Sequence, residues 1–239
     1  MKIKISQQIL KNYPQTKIGY LIVNVSVQKS DLYTEELKGE LVQDLAKQGI
    51  TKDNYASHPN ISKWREVFQE MGVSHKTHCS SVEALVKRIV VGKKMWSISN
   101  IVDLYNCCSV LSLTPIGDYN LSSIKGDIII RYGKENDKFE PLGSNDPILV
   151  EPQQIVYADE EKVICWLWNY RDSKNSVINE NTKQIIFFLD SVFELNHWKM
   201  EQIINFLWEN LTKLGVKTRE FGILNQENSE IGLKNFRSL

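Results

Sequence analysis

Residues 18–27 run Ile-Gly-Tyr-Leu-Ile-Val-Asn-Val-Ser-Val, a stretch rich in β-branched and aromatic side chains that predicts a strand buried on at least one face. The apolar period then becomes helical. Leu32, Leu37, Leu41, Val42 and Leu45 share one face of a helix that Ser30 or Asp31 can cap and Gly49 can end. After Pro59-Asn60, the spacing of Ile61, Trp64, Val67, Phe68 and Met71 predicts a second helix, stopped at Gly72, with Trp64 in the core. Ser80 and Glu83 stand at capping-box spacing ahead of an apolar stripe made by Val82, Leu85, Val86, Ile89 and Val90, which Gly92 ends. A fourth helix is predicted over 100–111. Its Ile101, Leu104, Tyr105 and Cys108 lie on one side while Asp103 and Asn106 project from another.

Beyond residue 115 the pattern turns to strands, predicted over 128–132, 155–158 and 163–170 and separated by turn sequences at 133–137 and 159–162. The four-residue connection 159–162 fits an antiparallel hairpin, because parallel strands need a crossover of roughly a dozen residues or more. A further strand is predicted over 185–193 and an amphipathic helix over 197–214, with Met200, Ile203, Ile204, Leu207, Leu211 and Leu214 inward. Residues 215–239 are polar and poorly patterned, which predicts a tail that is mobile or held by a partner. The fold class expected is α+β, a mostly antiparallel sheet flanked by helices. The organisation expected is an α/β portion over 1–75 packed on a main domain over 76–214, followed by the 215–239 tail.

Composition adds exclusions. With 239 residues, 42% hydrophobic and 24% charged, the chain is long enough to bury roughly 70% of its unfolded surface without disulfides. Its apolar runs fall short of the ~20 residues of a membrane span, so no membrane partner is expected. Met1 to Ser6 does not read as a secretory leader, which makes the cytoplasm the expected location. Cys79, Cys107, Cys108 and Cys165 read as reduced, mostly buried thiols. Twenty-nine basic side chains balance 29 acidic ones, so no overall field attracts polyanions; DNA is not an expected partner, and any RNA contact must come from a local patch. The candidate patch is Lys87-Arg88 with Lys93-Lys94 and Trp96, extendable by Lys63 and Arg65. A solvated helix end favoured by the helix dipole explains the same cations. His75, His78 and Cys79 lack a second pair of ligands at metal-site spacing, so neither metal nor cofactor is expected.

The most informative succession is Asn100-Ile101-Val102-Asp103-Leu104-Tyr105-Asn106, then Pro115-Ile116-Gly117-Asp118-Tyr119, then Lys125-Gly126-Asp127-Ile128, preceded by Ser81-Val82-Glu83-Ala84-Leu85-Val86-Lys87-Arg88 and followed by Val156-Tyr157-Ala158-Asp159 and Asn179-Glu180-Asn181-Thr182. In order and spacing it resembles the tRNA-binding and editing domain, the third and fourth B modules, of the bacterial phenylalanyl-tRNA synthetase beta chain, and more closely the freestanding homologues of that domain. Pro59, Trp64-Arg65 and Met71-Gly72-Val73 are similar to the portion that precedes it in those homologues. The resemblance implies tRNA or aminoacyl-tRNA as partner and hydrolysis of a mischarged aminoacyl ester as activity. It does not imply aminoacylation, since nothing here looks like a class II synthetase catalytic core.

Two departures bear on chemistry. The family's Pro-x-His-Ala-Phe-Asp, whose histidine belongs to its editing site, is here Pro115-Ile116-Gly117-Asp118-Tyr119-Asn120, and its small-residue Ala-Gly-Ile-Met-Gly-Gly is Trp166-Leu167-Trp168-Asn169-Tyr170-Arg171. Hydrolysis of an already activated ester needs a positioned water and oxyanion donors more than a histidine. Asn100, Asp103, Asn106 and Asp118 are the candidate catalytic residues, and Trp168, Asn169, Arg171 and Ser173 the candidate substrate contacts. Against these stand structural duties: Asn100 as a helix cap, Asp103 paired with Arg88 or Arg131, and Trp166 and Trp168 sharing a strand face as a core wall. Three functions stay open at this point: a deacylase acting in trans, a non-catalytic RNA-binding module, and a pocket for a free amino acid or small metabolite.

Overall fold

A computed structural model describes residues 1–144 and 146–233. In chain order its elements are β1 (Lys2–Ile5), α1 (Gln7–Asn12), β2 (Lys17–Asn24), α2 (Leu32–Lys47), α3 (Pro59–Glu70), α4 (Ser81–Val90), α5 (Asn100–Ser112), β3 (Ile116–Asn120), β4 (Ile128–Tyr132), β5 (Lys138–Phe139), β6 (Ile148–Leu149), β7 (Ile155–Ala158), β8 (Val163–Trp166), β9 (Arg171–Asp172), β10 (Gln184–Ser191), α6 (Met200–Lys213), β11 (Lys217–Leu224) and β12 (Glu230–Gly232). A six-stranded sheet runs β12-β1-β4-β7-β8-β9 and a four-stranded sheet runs β11-β2-β10-β3; β5 and β6 form a small ribbon. Every pairing is antiparallel except β1 with β4. The fold is α+β, with mostly antiparallel sheets flanked by helices.

Why the 18–27 run is so continuously apolar is explained by its place inside the four-stranded sheet, with both faces covered. Leu21 and Val23 of β2, with Ile185, Phe187 and Leu189 of β10, face Ile101 and Leu104 of α5 and Ile203 and Leu207 of α6. The alternate residues Tyr20, Ile22, Ile186 and Phe188 face a larger core shared with Trp64 and Phe68 of α3, Val86 of α4 and the six-stranded sheet. Strands from residues 1–75 thus enter both main sheets.

The helices follow their predicted periods, with changes at the caps. Asp31 caps α2 by accepting from the Thr34 amide at 2.8 Å. α3 begins at Pro59, with the His58 ring nitrogen accepting from the Asn60 amide. Ser80 caps α4, but the Glu83 carboxylate is bonded to Arg65 Nε at 3.0 Å in place of completing the box. Ser99, not Asn100, caps α5. The strand predicted over 163–170 stops at Trp166, because Leu167 and Trp168 adopt left-handed backbone at φ 52° and 62°. Trp168 therefore does not share a strand face with Trp166; both are buried all the same. Residues 217–224 and 230–232, in the segment expected to be a tail, are strands pairing with β2 and β1; residues 234–239 of that segment lie outside the described residues. Among the described residues no helix is long and apolar enough to cross a membrane.

Candidate functional site

β3 is the edge strand of the four-stranded sheet, and four successive residues of it, Ile116, Gly117, Asp118 and Tyr119, line one cavity of about 440 Å³. Consecutive strand residues point to opposite faces, so a cavity touching all four lies along the strand's open edge, where one row of backbone groups is left unpaired by the sheet. Gly117 has φ outside the left-handed range, and a Cβ there would meet the Tyr119 phenol, its oxygen at 3.4 Å and Cζ at 3.9 Å. The missing side chain leaves room beside the edge. α5 contributes Val102, Tyr105 and Asn106; the turn after β8 contributes Trp168 and Asn169; β9 contributes Arg171 and Asp172; and β10 contributes Phe188 and Asp190. The volume falls within the range of small-molecule pockets.

Three carboxyl groups meet this space. Asp118 is 5% exposed, and its Oδ2 has no hydrogen-bond partner. Burial, first, and then Asp172 nearby raise its pKa to about 8, only partly offset by the proximity of the Tyr105 hydroxyl and of its own backbone amide. Asp190, on β10, accepts from the Tyr157 hydroxyl and from Asn169 Nδ2 at 3.4 Å; burial raises it to about 7. Asp172 is half-buried and accepts from the Tyr119 hydroxyl at 2.8 Å, and burial raises it too. Asn169 Oδ1 is a second unpartnered acceptor, and Trp168 Nε1 an unpartnered donor, among the lining residues. At the mouth, Trp96 and Ile98 are 48% and 60% exposed, with Arg171 also exposed. Among the described residues no three His, Cys, Asp or Glu side chains are grouped to hold a metal ion.

Of the residues singled out from sequence, Asn106, Asp118, Trp168, Asn169 and Arg171 come together here, and Trp96 joins them at the mouth. Asn100, Asp103 and Ser173 do not. Asn100 Oδ1 accepts from the Gln28 amide at 2.9 Å, stitching α5 to the segment after β2. Asp103 is fully buried and takes bonds from Lys38 Nζ and the Ile98 amide, each at 2.8 Å, and from the Ser30 hydroxyl, so its cationic partner is Lys38 and neither Arg88 nor Arg131. Ser173 is buried, its Oγ accepting from the Asn175 amide. Within the cationic patch, Lys87, Lys93 and Lys94 are exposed, whereas the Arg88 guanidinium lies 3.8 Å over the Trp96 ring and donates to the Lys94 carbonyl. That contact covers one face of the indole. Arg65 is tied to Glu83 and Lys63 sits over Phe193, so neither is a spare cation of that patch. His78 packs edge-on against Trp166 and Tyr170, and burial pushes the Cys79 thiol up to about 11; both act as packing groups.

Sequence reasoning missed Asp172 and Asp190. For Asp190 there was a signal: an ionisable residue closing the otherwise apolar run Ile-Ile-Phe-Phe-Leu of β10, where burial requires a special partner.

The B3/4 domain family matches residues 63–200, more than half of the chain. The beta subunit of phenylalanine–tRNA ligase from Aquifex aeolicus is 31% identical over 110 residues, covering 44% of this chain and 14% of that protein. The same subunit from Fusobacterium nucleatum is 32% identical over 88 residues, covering 37% of this chain and 11% of that protein. The chain thus matches a small fraction of the length of these relatives. An N-terminal fragment of the phenylalanyl-tRNA synthetase beta subunit from Pyrococcus horikoshii superposes with a TM-score of 0.46 at 13% identity, over 96% of this chain and 53% of that one.

Proposed function

The chain belongs to the B3/4 domain family, and from that membership and the cavity beside β3 we propose that it binds the aminoacylated 3′ end of a tRNA and hydrolyses the ester in trans, in the cytoplasm. The observation that carries this reading is the open edge of β3 and an unpartnered acceptor, Asn169 Oδ1, among the residues lining one cavity with largely apolar walls. Asn169, with Asn106 opposite on α5, orients the attacking water. The outward backbone amide of Ile116, beside Gly117, donates to the developing oxyanion, where the absent side chain lets the ester carbonyl approach the backbone. Arg171, exposed at the mouth, meets the adjacent phosphate, and Lys87, Lys93 and Lys94 extend that positive rim. No general base is required, because the ester is activated and held in place.

The experiment is release of amino acid from a panel of charged and mischarged tRNAs by the purified chain. Turnover of at least one ester supports the proposal, and Asn169→Ala is expected to lower kcat about 10²-fold, the effect of removing one such polar group from a preorganised site. Gly117 at the family's histidine position favours a second reading, a binding module without turnover; it is supported if tRNA binds and no ester is released.

A further inference from the structure

The cavity's unpartnered polar groups say something about the acyl group it takes, given the reading above that an aminoacyl ester enters it. The ribose and phosphates must stay at the mouth, where Trp96, Ile98 and Arg171 are exposed. The ester and its α-ammonium lie next to the ribose, so the deepest residues meet the amino-acid side chain. Among those buried residues, beside aromatic rings, are the carboxyl groups of Asp118 and Asp190, 5% and 4% exposed, with Asp172 beside them. Asp190 has both oxygens engaged by Tyr157 and Asn169, and Asp172 accepts from Tyr119. Asp118 keeps a buried Oδ2 with no donor. A buried acceptor left unpaired costs free energy unless a donor fills it; without a ligand the Asp118 carboxyl keeps a proton, its pKa being raised, and an N–H cation displaces that proton because three carboxyl groups around one space favour positive charge. The walls suit such a group as well, since the rings of Tyr105, Tyr119, Tyr157 and Trp168 line the same space.

We propose that the cavity selects aminoacyl groups whose side chain ends in a cationic amine or guanidinium, with Asp118 as the direct partner and Asp172 and Asp190 supplying the field.

Calorimetric titration of the full chain with lysinamide and with norleucinamide, which lacks the terminal ammonium, tests this without RNA and so independently of whether tRNA binds. Lysinamide is expected to bind at least about tenfold tighter, the effect of one charge-assisted hydrogen bond. The preference is expected to persist when both ligands are Nα-acetylated and to fall within about twofold in Asp118→Asn, whose fold is checked by its thermal melt. Equal binding of the two amides, binding of neither, loss of the preference on acetylation, or a preference unchanged in Asp118→Asn would each overturn the assignment. If the preference holds while the tRNA panel shows neither binding nor release, the side-chain assignment stands and the tRNA reading falls.

Discussion

Asp118 and Asp103 are both buried carboxyl groups, and their surroundings give them opposite effects on stability. Asp118 has an oxygen without a partner and keeps its proton in the folded chain up to about pH 8, whereas the unfolded carboxyl loses it near 3.8. Between those values the folded chain binds the extra proton, so this group's contribution is fully present below the unfolded pKa and is lost as pH rises through the folded one. The slope is about 1.4 kcal/mol per pH unit, with Tyr105 from α5, Asp172 from β9 and Asp190 from β10 as the ionisable neighbours. Urea unfolding at pH 5 and pH 7 is expected to show Asp118→Asn gaining about 2–3 kcal/mol relative to the native chain over that interval; a constant difference would contradict the assignment. Asp103 instead holds Lys38, whose side chain is 6% exposed. Asp103→Ala leaves that ammonium with Glu35 and the Ser97 hydroxyl and is expected to lower stability by about 3 kcal/mol in urea unfolding, at the low end for breaking a buried pair. Such differences are not written in the residues themselves. Asp103 and Asp118 are equally plausible candidate catalytic residues by sequence, and the approach of Lys38 on α2, far away in the chain, separates them. Asn169 and Arg171 were legible because they occupy the positions of a family segment; Asp172 and Asp190 fall outside the segments that carry the resemblance.

Among the elements, β3 matters most, since its open edge gives the cavity one continuous wall. Its residues Ile-Gly-Asp-Tyr-Asn show no clean alternation, because an edge strand beside a cavity has neither a fully apolar nor a fully solvated face. It was therefore not predicted as a strand. The helices were legible, as their stripes pack on sheet faces with the full 3.6-residue period; β2, β4, β7 and β10 were legible as short apolar runs. β1 and β12 are too short to show a period, and β11 exposes large residues such as Phe221 at the sheet edge, so its pattern reads as polar tail. The turn after β8 was misread as strand because Leu167 and Trp168 have the composition of one, although both take the left-handed backbone that brings Asn169 to the cavity. At the end of β4, Gly133 passes so close to the neighbouring loop that a Cβ would lie 2.4 Å from the Glu151 carbonyl oxygen. A backbone atom cannot swing aside, so Gly133→Ala is expected to lower stability by about 1–3 kcal/mol, measured by thermal or urea unfolding; an unchanged midpoint would show that the loop gives way.

At the scale of the whole molecule, two cores share the four-stranded sheet, and the cavity opens where α5, packed on one core, meets the turn after β8, packed on the other. A chain whose formal charge sums to zero relies on local placement of charge, positive at the rim and carboxylic within, in place of a global field. On the proposed reading, exposed Arg171 meets an anionic backbone, and the buried carboxyl groups meet a cationic acyl end that displaces the proton Asp118 otherwise keeps. Binding to the rim is therefore expected to weaken as salt rises, with a shallow slope set by the few exposed cations, as read by filter binding of aminoacyl-tRNA across salt concentrations. The most direct measurement is the rate at which the purified chain releases amino acid from a tRNA panel that includes lysyl and arginyl esters. The account predicts release of at least one ester tenfold or more above the uncatalysed rate, with Asn169→Ala lowering the part of the rate above background about 10²-fold; a panel that is neither bound nor hydrolysed would contradict it.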